Sequence, residues 1–431
     1  MTVKVLEVDV AQPLPSFTDH DIERYPFVQI LVRKHGQPVG YTWIHARSQH
    51  FLREEFIRIE IERQLYDSFN RIELERQLGT QPIGVWKDTP YNWPSVTVGL
   101  CTRGRPESLE RALKSLLLLD YPTDKLEVLV VDNAPPDDAT EKVVAHFPQF
   151  SYVVEPRPGL DWARNRAIKE AQGEIIAYTD DDVAVDSLWL KAIVRPFEEP
   201  NVMCVTGLVA PAERDTDAQN WFEEYNGFGK GFEKRYYVPG MRRNWAFFPL
   251  GSGGFGTGAN MAYRKSLFER VGGFDEALDV GTPTHGAGDL EMYYRTLHNG
   301  FTLVYEPQAL IWHYHRRDYK VLKGQIRDWG RGVYAFWTKV FLTDPDMRWL
   351  ALWFGIVWYW RGFLKRLIKR GGSHRNLRIG EAIGALQGPT AYILARRKAN
   401  RIAAATWPET TVRRGVPTTH SSDIILKVHG N

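Results

Sequence analysis

Apolar and polar positions change their period along this chain, and the changes mark its parts. VQILV and VGYTW, residues 28–32 and 39–43, are apolar runs on either side of the turn-like HGQP, a pattern that predicts a β-hairpin. A charged helix rich in Glu, Arg and Leu is expected from about Arg53 to Leu78. The segment KDTPYNWPS then carries two prolines and reads as a linker. Residues 1–92 are therefore expected to form a small accessory α+β domain.

From Ser95 the pattern becomes strand, helix, strand. Val96–Leu100, Val128–Val131 and Glu174–Thr179 are short β-rich runs. Between them lie helical periods at Pro106–Leu119, Thr140–His146 and Leu160–Ala171. The first of these gathers Leu109, Ala112, Leu113, Leu116 and Leu117 on one side. Such alternation predicts right-handed βαβ units, a largely parallel sheet, and ligands at the carboxyl ends of its strands. The expected catalytic domain is 93–320. Residues 321–405 read as helical and basic, and 406–431 as a flexible tail.

Within the helical region, Trp349–Trp360 is uncharged and mostly apolar, too short for a span. RGFLKRLIKR follows, with Arg361, Lys365, Arg366, Lys369 and Arg370 on one half of a helix and Phe363, Leu364, Leu367 and Ile368 on the other. That pattern fits a membrane-surface anchor over 349–370, and equally a packing helix with a solvated basic face.

Composition narrows the class. The chain has 431 residues, 43% hydrophobic and 25% charged, which suits a folded protein of two or three domains. Its net charge of +3 gives no ground for a nucleic-acid partner. Two cysteines, Cys101 and Cys204, form no disulfide framework or zinc site, and the N-terminus lacks the apolar core of a signal peptide. A cytoplasmic protein is expected, peripheral on the cytoplasmic face of the membrane if the anchor reading holds.

The candidate chemistry is acidic. YTDDDV ends a buried-type strand with Asp180, Asp181 and Asp182, and the D-x-D spacing lets carboxylates reach one hard cation. The competing role is helix capping, by one of the three or by Asp186. Asp132 ends the neighbouring strand. GAGDLEM places Asp289 after glycines at a helix start, as a cap or as a general base. His313 and His315 share a face if IWHYH is extended. The glycines of GSGGFGTGANMAYRK match neither a phosphate loop nor a dinucleotide fingerprint.

In this order, VTVGLCTRGRP, VLVVDNAPPDDAT, PGLDWARNRAI, YTDDDV, GTGANMAYRK, VGGFDEAL and GAGDLEMYYR resemble family 2 glycosyltransferases with the GT-A fold, over roughly Ser95 to Arg317. The resemblance implies a Rossmann-like, mixed but mainly parallel sheet flanked by helices. It implies a nucleotide-sugar donor with Asp132 at the base or ribose, Thr102, Arg103 and Arg105 alongside, and Asp180 and Asp181 near ribose and diphosphate. Asp182 with His313 would hold Mn2+ or Mg2+, and Arg164 would assist. Asp289 would deprotonate the acceptor hydroxyl, giving inversion, with Gly258 and Asn260 on the acceptor side. Three departures stand out. Gly288 precedes Asp289 where the family has Glu, Asp161 follows P-G-L where small residues are common, and Asp328 replaces the Arg of the processive Q-x-x-R-W motif. The last points to transfer of one sugar, to a glycan or lipid-linked acceptor. A nucleotidyltransferase or a degenerate binding scaffold are the alternatives.

Overall fold

β-branched runs set the strands of this protein, and where they are buried on both faces they form its centre. The structure, a computed structural model, describes residues 2–14, 25–45, 54–77, 92–225, 227–240, 248–364 and 374–416.

In the N-terminal unit β1 (Val3–Asp9) runs parallel to β2 (Phe27–Lys34), which pairs antiparallel with β3 (Gln37–His45). The hairpin turn places both His35 and Gly36 at positive φ, as a two-residue turn matching the strand twist requires. Helix α1 (Glu54–Gln77) covers this sheet with Ile57, Ile61 and Leu65. The unit is docked rather than detached. Leu31 packs with Leu208, Ala210 and Leu310, and Arg33 pairs with Asp186 at 2.5 Å and with Glu7.

The central region runs β4 (Val96–Thr102), α2 (Pro106–Leu116), β5 (Leu126–Asn133), α3 (Ala139–Ala145), β6 (Ser151–Glu155), α4 (Leu160–Glu170), β7 (Ile175–Asp180) and β8 (Val183–Val185). It continues with α5 (Trp189–Val194), β9 (Val202–Pro211), α6 (Asp217–Tyr225), β10 (Arg235–Tyr237), β11 (Asn260–Arg264), α7 (Ser266–Val271), α8 (Gly288–His298) and β12 (Thr302–His313). The sheet order is β10-β12-β9-β11-β7-β4-β5-β6, with β8 paired to β12. β7, β4, β5 and β6 are parallel, as are β9 and β12, and β11 runs antiparallel between the two groups. This is the mixed, mainly parallel sheet flanked by helices that the sequence led to expect. Burial on both sheet faces explains why its strands read as unbroken apolar runs. The expected face of α2 is the one that packs, with Leu109, Ala112, Leu113 and Leu116 buried.

Beyond β12 the chain is helical, as expected: α9 (Tyr319–Thr343), capped by Asp318 accepting from the Val321 amide, then α10 (Arg348–Trp358), a π-helical turn over Tyr359–Leu364, and α11 (Arg375–Ala404). Most of the expected basic helix, residues 365–370, lies outside the described residues. The expected flexible tail differs from the structure over 406–416. Arg413 exchanges both backbone hydrogen bonds with Tyr152 of β6, Arg414 pairs with Glu127, and Thr410 bonds Arg166. An unpaired strand edge supplies the partners that a Thr-rich, Pro-containing tail lacks alone.

Candidate active site

Parallel pairing brings the carboxyl ends of β4, β5 and β7 together. Thr102 stands opposite Asp132, and Cys101 opposite Asp180. Asp132 is fully buried. Its Oδ2 accepts from the Tyr152 hydroxyl at 3.0 Å, while its buried Oδ1 has no protein partner. Burial pushes its carboxyl up to about 6 against the hydrogen bonds of Tyr152 and Thr140.

Asp180 is the last residue of β7, and Asp181 and Asp182 form a turn before β8. An extended D-x-D would point Asp180 and Asp182 one way and Asp181 the other, and the turn at Asp181 and Asp182 departs from that. Asp181 accepts from Thr102 Oγ1 at 2.7 Å and from Arg105 Nη1 at 3.0 Å, and the same Arg105 nitrogen reaches Asp182 at 3.3 Å. Asp182 also lies 3.3 Å from His313 Nε2 and 3.3 Å from Arg316. Burial opposes its charge, but His313, Arg316 and Arg105 outweigh that and hold its carboxyl well below the usual range. Asp180 is displaced the other way, to about 7, by burial and by the charge of Asp182. Asp186, the competing cap, accepts from the Leu188 amide and from Arg33, but α5 has no side-chain cap, so neither Asp186 nor the triplet caps it.

His313 ends β12. Its Nδ1 meets His315 Nδ1 at 3.0 Å, and His315 Nε2 meets Glu223 Oε1 at 2.7 Å. The chain Glu223–His315–His313 fixes the imidazole with Nε2 toward Asp182. A carboxylate oxygen and an imidazole nitrogen so oriented suit Mn2+ or Mg2+ when a ligand completes the shell. Among the described residues no three His, Cys, Asp or Glu converge as a full cage.

Asp289 is the second residue of α8, and no side chain caps that helix. Its Oδ2 instead accepts from the Gly258 amide at 2.7 Å, outside the helix. Burial, helped by the charge of Asp279 and opposed by Arg164, raises its carboxyl above the usual range. Arg164 is buried, bonded to Asp161 at 2.9 Å and Asp279 at 2.6 Å. It therefore sits at the Asp289 end of the site. A Cβ at Gly258 would meet Arg164 Nη2 at 2.8 Å and Asp289 Oδ2 at 3.2 Å, so glycine keeps the two together.

Two departures noted in the sequence prove to be one feature. A Cβ at Gly288 would stand 2.2 Å from Asp161 Oδ2, so the α4 carboxylate fills the space a side chain at 288 needs. Asp161 is fully buried with Oδ2 unpartnered, and burial and Asp279 raise its carboxyl well above the usual range.

The remaining expected residues divide. Arg103 is exposed on the loop after β4. Asn260 is buried within the sheet, donating to Leu208 and Ala309 carbonyls and accepting from Trp189 Nε1, so its amide serves the fold. Sequence reading missed Arg316, Glu223, Asp279 and Lys230. Arg316 directly follows the histidine motif and could have been flagged. Lys230, whose ammonium is destabilised by burial and opposed in this by Asp289 and Glu223, follows no readable pattern.

The model of Glycosyl transferase family 2 matches residues 97–272. The chain is similar to the pre-mycofactocin glycosyltransferase of Mycobacterium tuberculosis, 27% identical over 54% of this chain and 44% of that protein, so it spans less than half of that relative. It is similar to glycosyltransferase AglE of Haloferax volcanii, 26% identical over 60% of this chain and 80% of that one. It is also similar to the glucosyl-dolichyl phosphate glucuronosyltransferase of the same organism, 24% identical over 51% and 68%. Among solved structures, the mannosyltransferase PcManGT of Pyrobaculum calidifontis, in complex with GDP-Man and Mn2+, aligns at a TM-score of 0.43 and 19% identity, covering 84% of this chain and 86% of that one.

Proposed function

We propose, from the match of residues 97–272 to the model of Glycosyl transferase family 2, that the chain moves one sugar from a nucleotide-sugar donor to an acceptor hydroxyl, with inversion. The observation that carries this reading is the different company of two carboxylates: Asp182 lies 3.3 Å from His313 Nε2, from Arg105 and from Arg316, while Asp289 Oδ2 is held by the Gly258 amide at 2.7 Å.

Asp132 offers a buried, unpartnered acceptor oxygen for a base or ribose donor. Arg105 and Arg316 bring guanidinium groups to the edge where a diphosphate would lie. Asp182 and His313 would hold the divalent cation, which when bound neutralises charge on the leaving diphosphate. Asp289 takes the acceptor's proton as the acceptor oxygen bonds to the anomeric carbon and the bond to the nucleoside diphosphate breaks. Gly258 fixes Oδ2 of that base, and no covalent sugar intermediate is involved. A glycan or lipid-linked acceptor fits this chemistry, and the name of one relative includes a dolichyl phosphate.

Thermal unfolding with nucleoside diphosphates, with and without Mn2+, tests the donor side. One base should raise the melting temperature strongly only with Mn2+, by mass action, and Asp182→Asn should lose that effect. A shift independent of Mn2+ and of Asp182 would overturn the metal assignment.

A further inference from the structure

Helices α10 and α11 turn their large apolar residues outward. On α10 and the turn after it, Trp349, Trp353, Ile356 and Trp360 recur at helical spacing and are exposed, Trp349 to 70%. On α11 the stripe is Ile379, Ile383, Leu386, Ile393 and Leu394, with Leu386 exposed to 66%. Apart from Leu377 and Tyr392, the inward face of α11 is made of glycines and alanines. Gly384 lies so close to α9 that a Cβ there would be 1.8 Å from the Arg327 carbonyl oxygen, and Gly388 similarly meets Tyr334. This reverses the usual amphipathic plan of a water-facing helix. The turn after α10 meets α11 where Tyr359 packs beside Ala382 and Ala385.

Charge identifies the occupant. Between residues 348 and 404 the sequence carries twelve Lys and Arg and one acidic residue, Glu381, whose carboxylate accepts from the Tyr225 hydroxyl. Outward tryptophans, exposed aliphatic side chains and an almost purely basic sequence over this region suit an anionic lipid surface. No helix among the described residues is long and apolar enough to cross a membrane.

The same helices hold the loop that carries Asp289. Ala287 packs with Phe336, Ala351 and Phe354, and a Cβ at Gly332 would stand 2.8 Å from the Gly286 carbonyl carbon. Lys339 of α9 bonds Asp275 at 2.9 Å and Glu291 of α8 at 2.7 Å, and Arg396 of α11 also pairs with Asp275.

We propose that the outward faces of α10 and α11 together form a docking surface for an anionic bilayer, beside the base end of the active site. The docking itself does not depend on the sugar-transfer reading. Its implication that the acceptor is membrane-borne does rest on that reading.

The test is co-sedimentation of the full chain with phosphatidylcholine vesicles, with and without roughly a third phosphatidylglycerol. Binding should require the anionic lipid and weaken in high salt. The combined variant Trp349→Ser, Trp353→Ser, Leu386→Ser should bind at least about tenfold more weakly. An unchanged Mn2+-dependent nucleotide shift in that variant shows that it is folded, and separates failure at the membrane from failure at the site. No binding of the intact chain to anionic vesicles overturns the proposal, as does undiminished binding of the variant. A dimer in sedimentation velocity that the three substitutions dissolve also overturns it, because a second copy then covers the face.

Discussion

Two carboxylate groups share one edge of the sheet and differ in how their charge is answered. Around Asp182 the answer comes from two partly exposed guanidinium groups, Arg105 and Arg316, with the buried His313 imidazole beside them. Around Asp289 it comes chiefly from a buried guanidinium, Arg164, shared with Asp161 and Asp279, with Lys230 as a second cation. The first group has cationic partners that an incoming diphosphate would compete for. The second has more carboxylates than cations, which keeps proton affinity high. One fold thus sorts similar side chains into an ion-binding group and a proton-accepting group by what is packed beside them.

The contrast breaks most sharply at Asp289. Asp289→Asn should lower kcat by about 10²–10⁴-fold while leaving nucleoside diphosphate affinity nearly unchanged, as measured by calorimetry. Comparable loss of both would mean that the two groups are not separate. On the other side, His315→Phe removes the link from Glu223 to His313 without touching Asp182. Mn2+ affinity, read by electron paramagnetic resonance titration, should fall about 10–100-fold, and an unchanged affinity would show that the relay does not orient the ligand.

A smaller effect is expected where Asp161 meets Gly288. Gly288→Ala should destabilise by about 1–3 kcal/mol through overpacking. Adding Asp161→Ala should restore part of that, a non-additivity that thermal melting would detect. Additive losses would show that the two positions do not share one space. The smallest effect is in pH. Because burial raises the Asp289 carboxyl, its basic form is lost as pH falls through a pKa above the ordinary carboxylate value of about 4. The acid limb of kcat should lie correspondingly high, and a limb at ordinary carboxylate pH would place the base in open solvent.

The parallel half of the sheet was legible because strands buried on both faces leave apolar runs, and the helices between them show their packed side. The positions of Asp132, Asp180–Asp182 and Asp289 were legible because strand ends and glycine loops are local features. Glu223 and Asp279 were not, since their roles come from contacts between distant segments: Glu223 lies 92 residues from His315. The pairing of Asp161 with Gly288 was visible in the sequence only as two unrelated oddities. The sequence also could not show that 406–416 find a partner, because that partner is the free side of β6, a property of strand order rather than of any one segment.

That last contact has a practical meaning. β6 ends the sheet, and on the side away from β5 its backbone is matched by the stretch around Arg413. The C-terminal stretch works as a removable guard on an otherwise adhesive border. Shortening the chain ahead of residue 406 would leave catalytic groups untouched, yet would expose amide and carbonyl groups to neighbouring molecules. Loss of solubility in such a truncation would be a fault of the border and would carry no information about the chemistry.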